Sequence, residues 1–250
     1  MLHYFRFRSD LPGLVPASET YGPRERGRGW PDQCPPLRAA NAFGWDVPAA
    51  FEMTFRKPKD GSWRILRDVE VESDWGWAPP GADPKTDARP LVQRNAWFWD
   101  PDQTVPHVIS PSVYARIRNQ VKVSTYLYLR TDKNEMLQIG DLPNQRRGFR
   151  AFTAIVETDR YPASYPWHVV LELDPDAREV HIAKGEPICR LTLVRRGAHA
   201  ARAMPLAEFD RFFERGQRWL AKHGKGERSE MMDITGAYAR LQRKARFTVR

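Results

Sequence analysis

Residues 121–130 have the sequence VKVSTYLYLR, in which Val121, Val123, Thr125, Leu127 and Leu129 fall on one side of an extended chain. Alternation with a period of two residues is typical of a strand with one buried face. Similar short stretches surround it: Met136–Ile139, FRAFTAIVETD (149–159), WHVVLELD (167–174) and EVHIAKGEPICRLTLV (179–194). Upstream, residues 51–66 predict a hairpin with a turn at Lys59-Asp60-Gly61. Eight or more short strands predict a mainly-β fold, a sandwich or barrel such as a jelly roll.

Two segments depart from the strand pattern. Residues 9–40 are rich in proline and predict an irregular N-terminal wrap. Residues 205–224 have apolar side chains at helical spacing, with Pro205 suited to the first turn, and predict an amphipathic helix packed by its Phe/Trp stripe. A shorter basic helix is expected near residues 237–247. We therefore expect a β-rich domain over 1–200, with a basic helical extension over 201–250 packed on it.

Composition excludes several classes of protein. Of 250 residues, 41% are hydrophobic and 28% charged, which argues against a disordered chain, and no stretch approaches a membrane span. Arginines occupy the N-terminal segment where a signal peptide needs an apolar run, so a cytoplasmic location is expected. Two cysteines are too few for a disulfide scaffold or a four-cysteine zinc site. The nucleotide-binding glycine motifs and the HExxH and GxSxG motifs are absent.

The net charge of +9 lies entirely in residues 178–250, which hold 17 Lys/Arg against 8 Asp/Glu. A basic end of this kind could contact nucleic acid, an acidic protein or an anionic substrate. The sequence has no RNA-binding signature, so nucleic acid is the less favoured partner. A binding module acting through the C-terminus stays open as an alternative function.

The candidate catalytic residues are Arg130, Glu157 and Asp159. Arg130 ends an apolar strand, where its guanidinium must reach solvent or a carboxylate. Glu157 and Asp159 are two residues apart, so on a strand they would share a face and one carboxyl could act as a general base or metal ligand. The alternative interpretation is an Arg130–carboxylate ion pair that holds the sheet together.

Aromatic and amide side chains suggest a ligand pocket around that set. We expect Trp97, Trp99 and Asn144 to line it, with Asn41 and Cys34 closing it from the N-terminal wrap. Such a pocket would suit an anionic or aromatic small molecule. Core packing of the tryptophans is the competing interpretation.

Cofactor binding is a further hypothesis. His168, His181 and His107 could join a carboxylate in a site for iron or another divalent metal, although no paired-histidine spacing supports it. Cys34 precedes a proline, a context in which a thiolate can ligate haem iron, but free cysteines are more often structural and haem is disfavoured. Cys189 is expected in the core.

Several elements resemble a bacterial protein family of unknown function. They are Cys34-Pro35-Pro36-Leu37, Ala40-Asn41, Gly44-Trp45, Leu129-Arg130-Thr131, Pro143-Asn144, Ile155-Val156-Glu157-Thr158-Asp159 and Gly185-Glu186-Pro187-Ile188-Cys189, spanning roughly residues 30–195. The resemblance marks positions and implies no activity. Together with the residues above, it favours a small-molecule enzyme or ligand-binding protein of bacterial metabolism, including specialised biosynthesis.

A more remote likeness concerns residues 155–191. The order of the Glu-Thr-Asp element, an amphipathic strand and the Gly185–Leu191 strand is similar to the second half of dUTPase-type β-clip proteins. That likeness implies a nucleotide-processing enzyme with Glu157 in the place of the catalytic aspartate. Pro187 stands where those proteins have an arginine, and Arg130-Thr131 replaces their Arg-Ser motif.

Overall fold

The structure, a computed structural model, describes residues 1–17, 34–59, 63–98, 117–161, 165–198 and 200–223, together with Tyr238 and Leu241. Antiparallel strands dominate these residues, which confirms the mainly-β prediction. In chain order the strands are β1 (Leu2–Arg6), β2 (Val15–Pro16), β3 (Trp45–Pro48), β4 (Met53–Arg56), β5 (Arg64–Ile65), β6 (Glu70–Trp77), β7 (Arg89–Arg94), β8 (Ala96–Phe98), β9 (Gln120–Ser124), β10 (Leu127–Thr131), β11 (Glu135–Gly140), β12 (Phe149–Ala151), β13 (Ala154–Val156), β14 (His168–Leu173), β15 (Glu179–Ile182) and β16 (Pro187–Arg195). The helices are α1 (Pro35–Asn41) and α2 (Leu206–His223).

The main core is formed by the three larger sheets. Their strand orders are β13-β11-β16-β3-β2, β12-β14-β9-β8 and β15-β4-β5. Alternate side chains from all three enter one buried cluster that includes Val47, Phe55, Leu171, Ile182 and Cys189. Across the described residues these sheets remain separate and do not close into a barrel.

The stretch 121–130 forms two strands rather than one. Tyr126 separates β9 from β10, has a φ of 54°, and is fully buried in a second core with Phe7 and Leu11. A left-handed backbone is costly for a tyrosine, and burial of the ring offsets that cost. The break directs the chain out of the four-stranded sheet and into a two-stranded ribbon with β1.

The predicted strand over 149–159 is also divided. Its first part, β12, pairs with β14, whereas β13 pairs with β11, so the chain passes from one sheet to another at residues 152–153. Glu157 and Asp159 lie beyond the end of β13, in a turn. They do not share the face of a strand as predicted, because the pairing with β11 ends at Val156.

The hairpin in residues 51–66 is confirmed by the pairing of β4 with β5. The expectation of an irregular segment over 9–40 is wrong for its last part, which forms α1. Cys34 directly precedes this helix, and Pro35 opens it, where a proline loses no helical hydrogen bond.

Helix α2 matches the prediction for 205–224 to within a residue at each end. None of its residues is buried, so the described chain does not provide the packing expected for its aromatic stripe. Of the second predicted helix only Tyr238 and Leu241 are described, and both are helical. Neither α1 nor α2 combines the length and apolar character that crossing a membrane requires.

Candidate functional site

A cleft of about 330 Å³ lies on the β1–β10 ribbon, and we name it the ribbon cleft. It is lined by His3, Tyr4, Phe5, Tyr128, Leu129, Arg130 and Tyr161. Of the predicted site residues only Arg130 belongs to this lining.

Strand register divides the ribbon cleft into two ends. Phe5 lies opposite Tyr128, and His3 lies opposite Arg130. Residues directly opposite in an antiparallel pair share a face, and so do residues two apart on one strand. One face of the ribbon therefore presents an aromatic pair beside a basic pair, separated by about 7 Å along the strands.

The aromatic end is held by packing on the second core. Trp75 lies with its ring centroid 5.5 Å from that of Tyr128 and 6.5 Å from that of Phe5. Burial raises the pKa of Tyr128 to about 12, so its phenol stays neutral near pH 7. Three buried polar atoms of the adjoining second core have no hydrogen-bond partner in the described chain: Trp75 Nε1, Tyr126 Oη and Tyr128 Oη.

The two residues of the basic end, His3 and Arg130, differ in whether they have a carboxylate partner. The Nε2 atom of His3 is 2.7 Å from an Asp132 oxygen. Hydrogen bonds from the N-terminal ammonium, and to a smaller extent from His3, lower the pKa of Asp132 to about 2. This carboxylate is therefore ionised and already paired. Arg130 is exposed, and it has no ion-pair partner among the described residues. Among the described residues, its guanidinium therefore contributes a positive charge without a counterion to the ribbon cleft.

Tyr161 forms the adjoining wall, and the turn before it is firmly anchored. Thr158 is buried, and its hydroxyl is 2.7 Å from that of Thr131, the residue next to Arg130. The amide of Tyr161 donates to the carbonyl of Glu157 at 2.9 Å. These bonds fix the position of Tyr161 relative to Arg130.

Arg196 anchors the other side of this turn. It donates to both oxygens of Asp159, at 2.8 and 3.1 Å, and to Glu157 at 2.8 Å. Hydrogen bonds from Arg196 lower the pKa of Asp159, whose side chain is only 2% exposed. The two carboxylates thus pair with Arg196 and not with Arg130. A carboxylate held ionised in this way is a poor general base, so the geometry favours a structural role for Asp159.

Asn41 and Asn144 do come together, but apart from the ribbon cleft. Asn144 Nδ2 donates to Asn41 Oδ1 at 2.9 Å, and the backbone of Asn144 has a φ of 60°. Arg190 is buried, pairs with Asp46, and donates to carbonyl oxygens at the end of α1, including that of Asn41. Cys34, at the opposite end of α1, is partly buried.

Trp97 belongs to a third group, on the four-stranded sheet. The centroid of its ring is 5.4 Å from that of His168. The ring of Tyr165 stacks on the same histidine at a centroid distance of 6.1 Å. Burial, and secondarily the charge of Lys122, lowers the pKa of His168. The Tyr165 hydroxyl donates a hydrogen bond to Tyr161, which raises the pKa of Tyr165 and links this aromatic group to the wall of the ribbon cleft.

The metal hypothesis gains no support from these positions. His181 lies on β15, in a different sheet from His168, with its Nδ1 atom 3.1 Å from the Thr54 hydroxyl. Within the part of the chain that the structure describes, no three His, Cys, Asp or Glu side chains gather as metal ligands. Trp99 and His107 lie outside the described residues. Cys189 is fully buried, as expected of a core residue.

Sequence reasoning missed His3, Phe5, Tyr128, Tyr161 and Arg196. A signal was available in residues 2–7, LHYFRF, where His3, Phe5 and Phe7 alternate with other side chains as a strand requires. Arg196 had no local signal, because its partners are 37 and 39 residues away in sequence.

Comparison with known proteins gives little to add to this geometry. No protein-family model matches the chain, and no curated protein does so. A native dUTPase of EIAV is a remote structural likeness: it has 7% identity and a TM-score of 0.33, over 82% of this chain and 98% of that one. So distant a likeness transfers no residue role, and both family resemblances remain predictions.

Proposed function

We propose that this protein binds a small organic anion that carries a flat aromatic group, and that the ribbon cleft is the binding site. The observation that carries the proposal is the arrangement on one face of the ribbon: the Arg130 guanidinium, which has no ion-pair partner in the described part of the chain, stands beside the Phe5–Tyr128 pair. Arginine presents a planar set of donors that matches a carboxylate or phosphate. The aromatic pair supplies the apolar surface that such a ligand would cover.

The dimensions support a small ligand. About 330 Å³ falls at the lower end of ordinary small-molecule sites. The spacing of about 7 Å between the two ends fits an acid group one or two bonds away from a ring. Tyr161 would contact the exposed side of that ring.

The proposal is for binding rather than for catalysis. Glu157 and Asp159 are engaged by Arg196, and the remaining carboxylate near the basic end, Asp132, pairs with His3. Each of these carboxylates is therefore already engaged by another group, which favours binding over carboxylate-assisted catalysis. The neutral Tyr128 and the Arg130 guanidinium favour an anion that is recognised and held.

A titration with matched probes tests the function. Intrinsic tryptophan fluorescence would follow phenyl phosphate, phenylacetate and the neutral phenylacetamide, since Trp75 packs against the aromatic end. We expect the two anions to bind at least about tenfold more tightly than the amide, as expected for one charge-assisted contact. Acetate, which has no ring, should bind weakly. Equal affinities for phenylacetate and phenylacetamide would contradict the proposal.

A further inference from the structure

Helix α2 carries an apolar face that the described residues leave largely exposed. Leu206, Phe209, Phe212 and Phe213 are 46–74% exposed, and no residue of the helix is buried. At 100° per residue, the large apolar side chains fall within one arc of about 140°. This set comprises Leu206, Phe209, Phe212, Phe213, Trp219 and Leu220. Soluble proteins rarely leave a contiguous aromatic surface of this kind in water, and it marks an interaction site.

Gly216 lies in the middle of that same arc. A glycine inside a helix destabilises the helix relative to alanine. Apart from the backbone of its own helix, no described atom lies within 4 Å of the position that its Cβ would occupy, so packing among the described residues does not require a glycine there. A residue without a side chain at the centre of an apolar face allows another backbone or a large side chain to approach closely.

The charges of α2 are separated along its axis. The first half, residues 206–214, contains Glu208, Asp210 and Glu214 against Arg211. The second half, residues 215–223, contains Arg215, Arg218 and Lys222 and no acidic residue. An antiparallel neighbour with the same sequence would place its basic half along the acidic half of this helix.

We propose that α2 is a self-association surface whose occupant is α2 of a second copy of this chain, in antiparallel orientation about a twofold axis. Centring the pair between residues 214 and 215 places Phe213 of one copy against Gly216 of the other, and Phe209 against Leu220. The large ring then fills the space above the glycine, twice by symmetry, as an isologous interface requires. Burial of the aromatic face drives the association, and the charge pattern selects the antiparallel direction.

Sedimentation of the full chain tests this pairing. At micromolar concentrations we expect a mass of twice 29.0 kDa for the unmodified protein. Gly216→Leu should raise the dimer dissociation constant at least about tenfold, since its side chain occupies the space needed by Phe213. This variant cannot act by weakening the helix, because leucine is the better helix former. Phe213→Ser should give the monomer, whereas Arg211→Ala on the polar face should leave the dimer intact.

Three results would overturn the pairing. One is a monomeric mass for the unmodified chain at all concentrations tested. Another is a Gly216→Leu variant that dimerises as well as or better than the parent. The third is co-sedimentation with vesicles of equal parts phosphatidylserine and phosphatidylcholine that Gly216→Leu strengthens, because a lipid surface gains from added apolar area where a close helix pair loses.

Discussion

Arg130 on β10 lies directly opposite His3 on β1, and in the described chain only the histidine of this pair has a carboxylate partner. The consequence is a guanidinium that is positioned by strand pairing yet left without a counterion. Phe5 and Tyr128 continue the same face. A positive charge beside an aromatic surface is the basis for assigning anion binding to the ribbon cleft.

Replacing the aromatic end should weaken binding without removing the preference for an anion. We expect Phe5→Ala to lower the affinity for phenylacetate about tenfold, because roughly 1–2 kcal/mol of ring contact is lost. Isothermal titration calorimetry would measure the affinity. The control is Ile155→Ala, which removes an exposed apolar side chain on β13, outside the ribbon cleft. An unchanged affinity in Phe5→Ala would remove this residue from the site.

Loss of Arg196 should loosen the turn that holds Tyr161. Asp159 has a lowered pKa in the folded chain, so its contribution to stability is present above its unfolded pKa near 4 and is lost as the pH falls through the folded value. We expect Arg196→Met to lower the melting temperature by a few degrees at pH 7 and to flatten the loss of stability on acidification. Thermal melts between pH 7 and pH 3 would show both effects.

The matched control for this variant is Arg56→Met. Arg56 pairs with Glu179 at 2.8 Å, but both side chains are about half exposed. Exposed ion pairs contribute little, so this change should leave the melting temperature nearly unaltered. Equal effects of the two substitutions would argue against a special role for Arg196.

The buried pair of Arg190 and Asp46 should be the most sensitive polar contact. Arg190 is 4% exposed and also holds carbonyl oxygens at the end of α1. Arg190→Met removes the guanidinium from the buried Asp46 carboxylate and should cost about 3–5 kcal/mol of unfolding free energy, measured with urea. The double variant Arg190→Met with Asp46→Leu should regain part of it. A double variant less stable than the single one would contradict this reasoning.

His168 should make stability depend on pH in the weakly acidic range. Its pKa is lowered in the folded chain, so the unfolded state binds the proton more readily, and stability falls as the pH drops below about 6.5. His168→Phe keeps the ring contacts with Trp97 and Tyr165 and should remove that fall. Urea midpoints at pH 7 and pH 5 provide the comparison, and His181→Phe, an exposed histidine, is the control. The account fails here if both variants keep the parental pH dependence.

The sequence predicted the sheet content and α2 because period-two and 3.6-residue patterns are local properties of the chain. It did not predict that Tyr126 divides residues 121–130, since a left-handed tyrosine is stabilised by contacts with Phe7 and Phe51 that are distant in sequence. The sequence analysis assigned Asn41 and Asn144 to one site with Arg130, but it predicted neither the hydrogen bond between the two amides nor their separation from Arg130. Both depend on which sheets the intervening strands join.

The candidate site was likewise predicted only in part, because its residues are brought together by contacts distant in sequence. Arg130 was identified because a charge at the end of an apolar strand must find solvent or a partner. Its neighbours His3 and Phe5 come from the first residues of the chain, and only the register of β1 against β10 places them beside it. Glu157 and Asp159 were identified as carboxylates, but their partner Arg196 required the three-dimensional structure.

The central measurement is the affinity of Arg130→Gln for phenylacetate, by isothermal titration calorimetry, beside that of Arg67→Gln. Arg67 is also an exposed arginine, but it lies outside the ribbon cleft. The account predicts that Arg130→Gln loses at least about tenfold in affinity and no longer distinguishes phenylacetate from phenylacetamide, while Arg67→Gln binds like the parent. Equal affinities in the parent and both variants would show that the ribbon cleft is not the anion site.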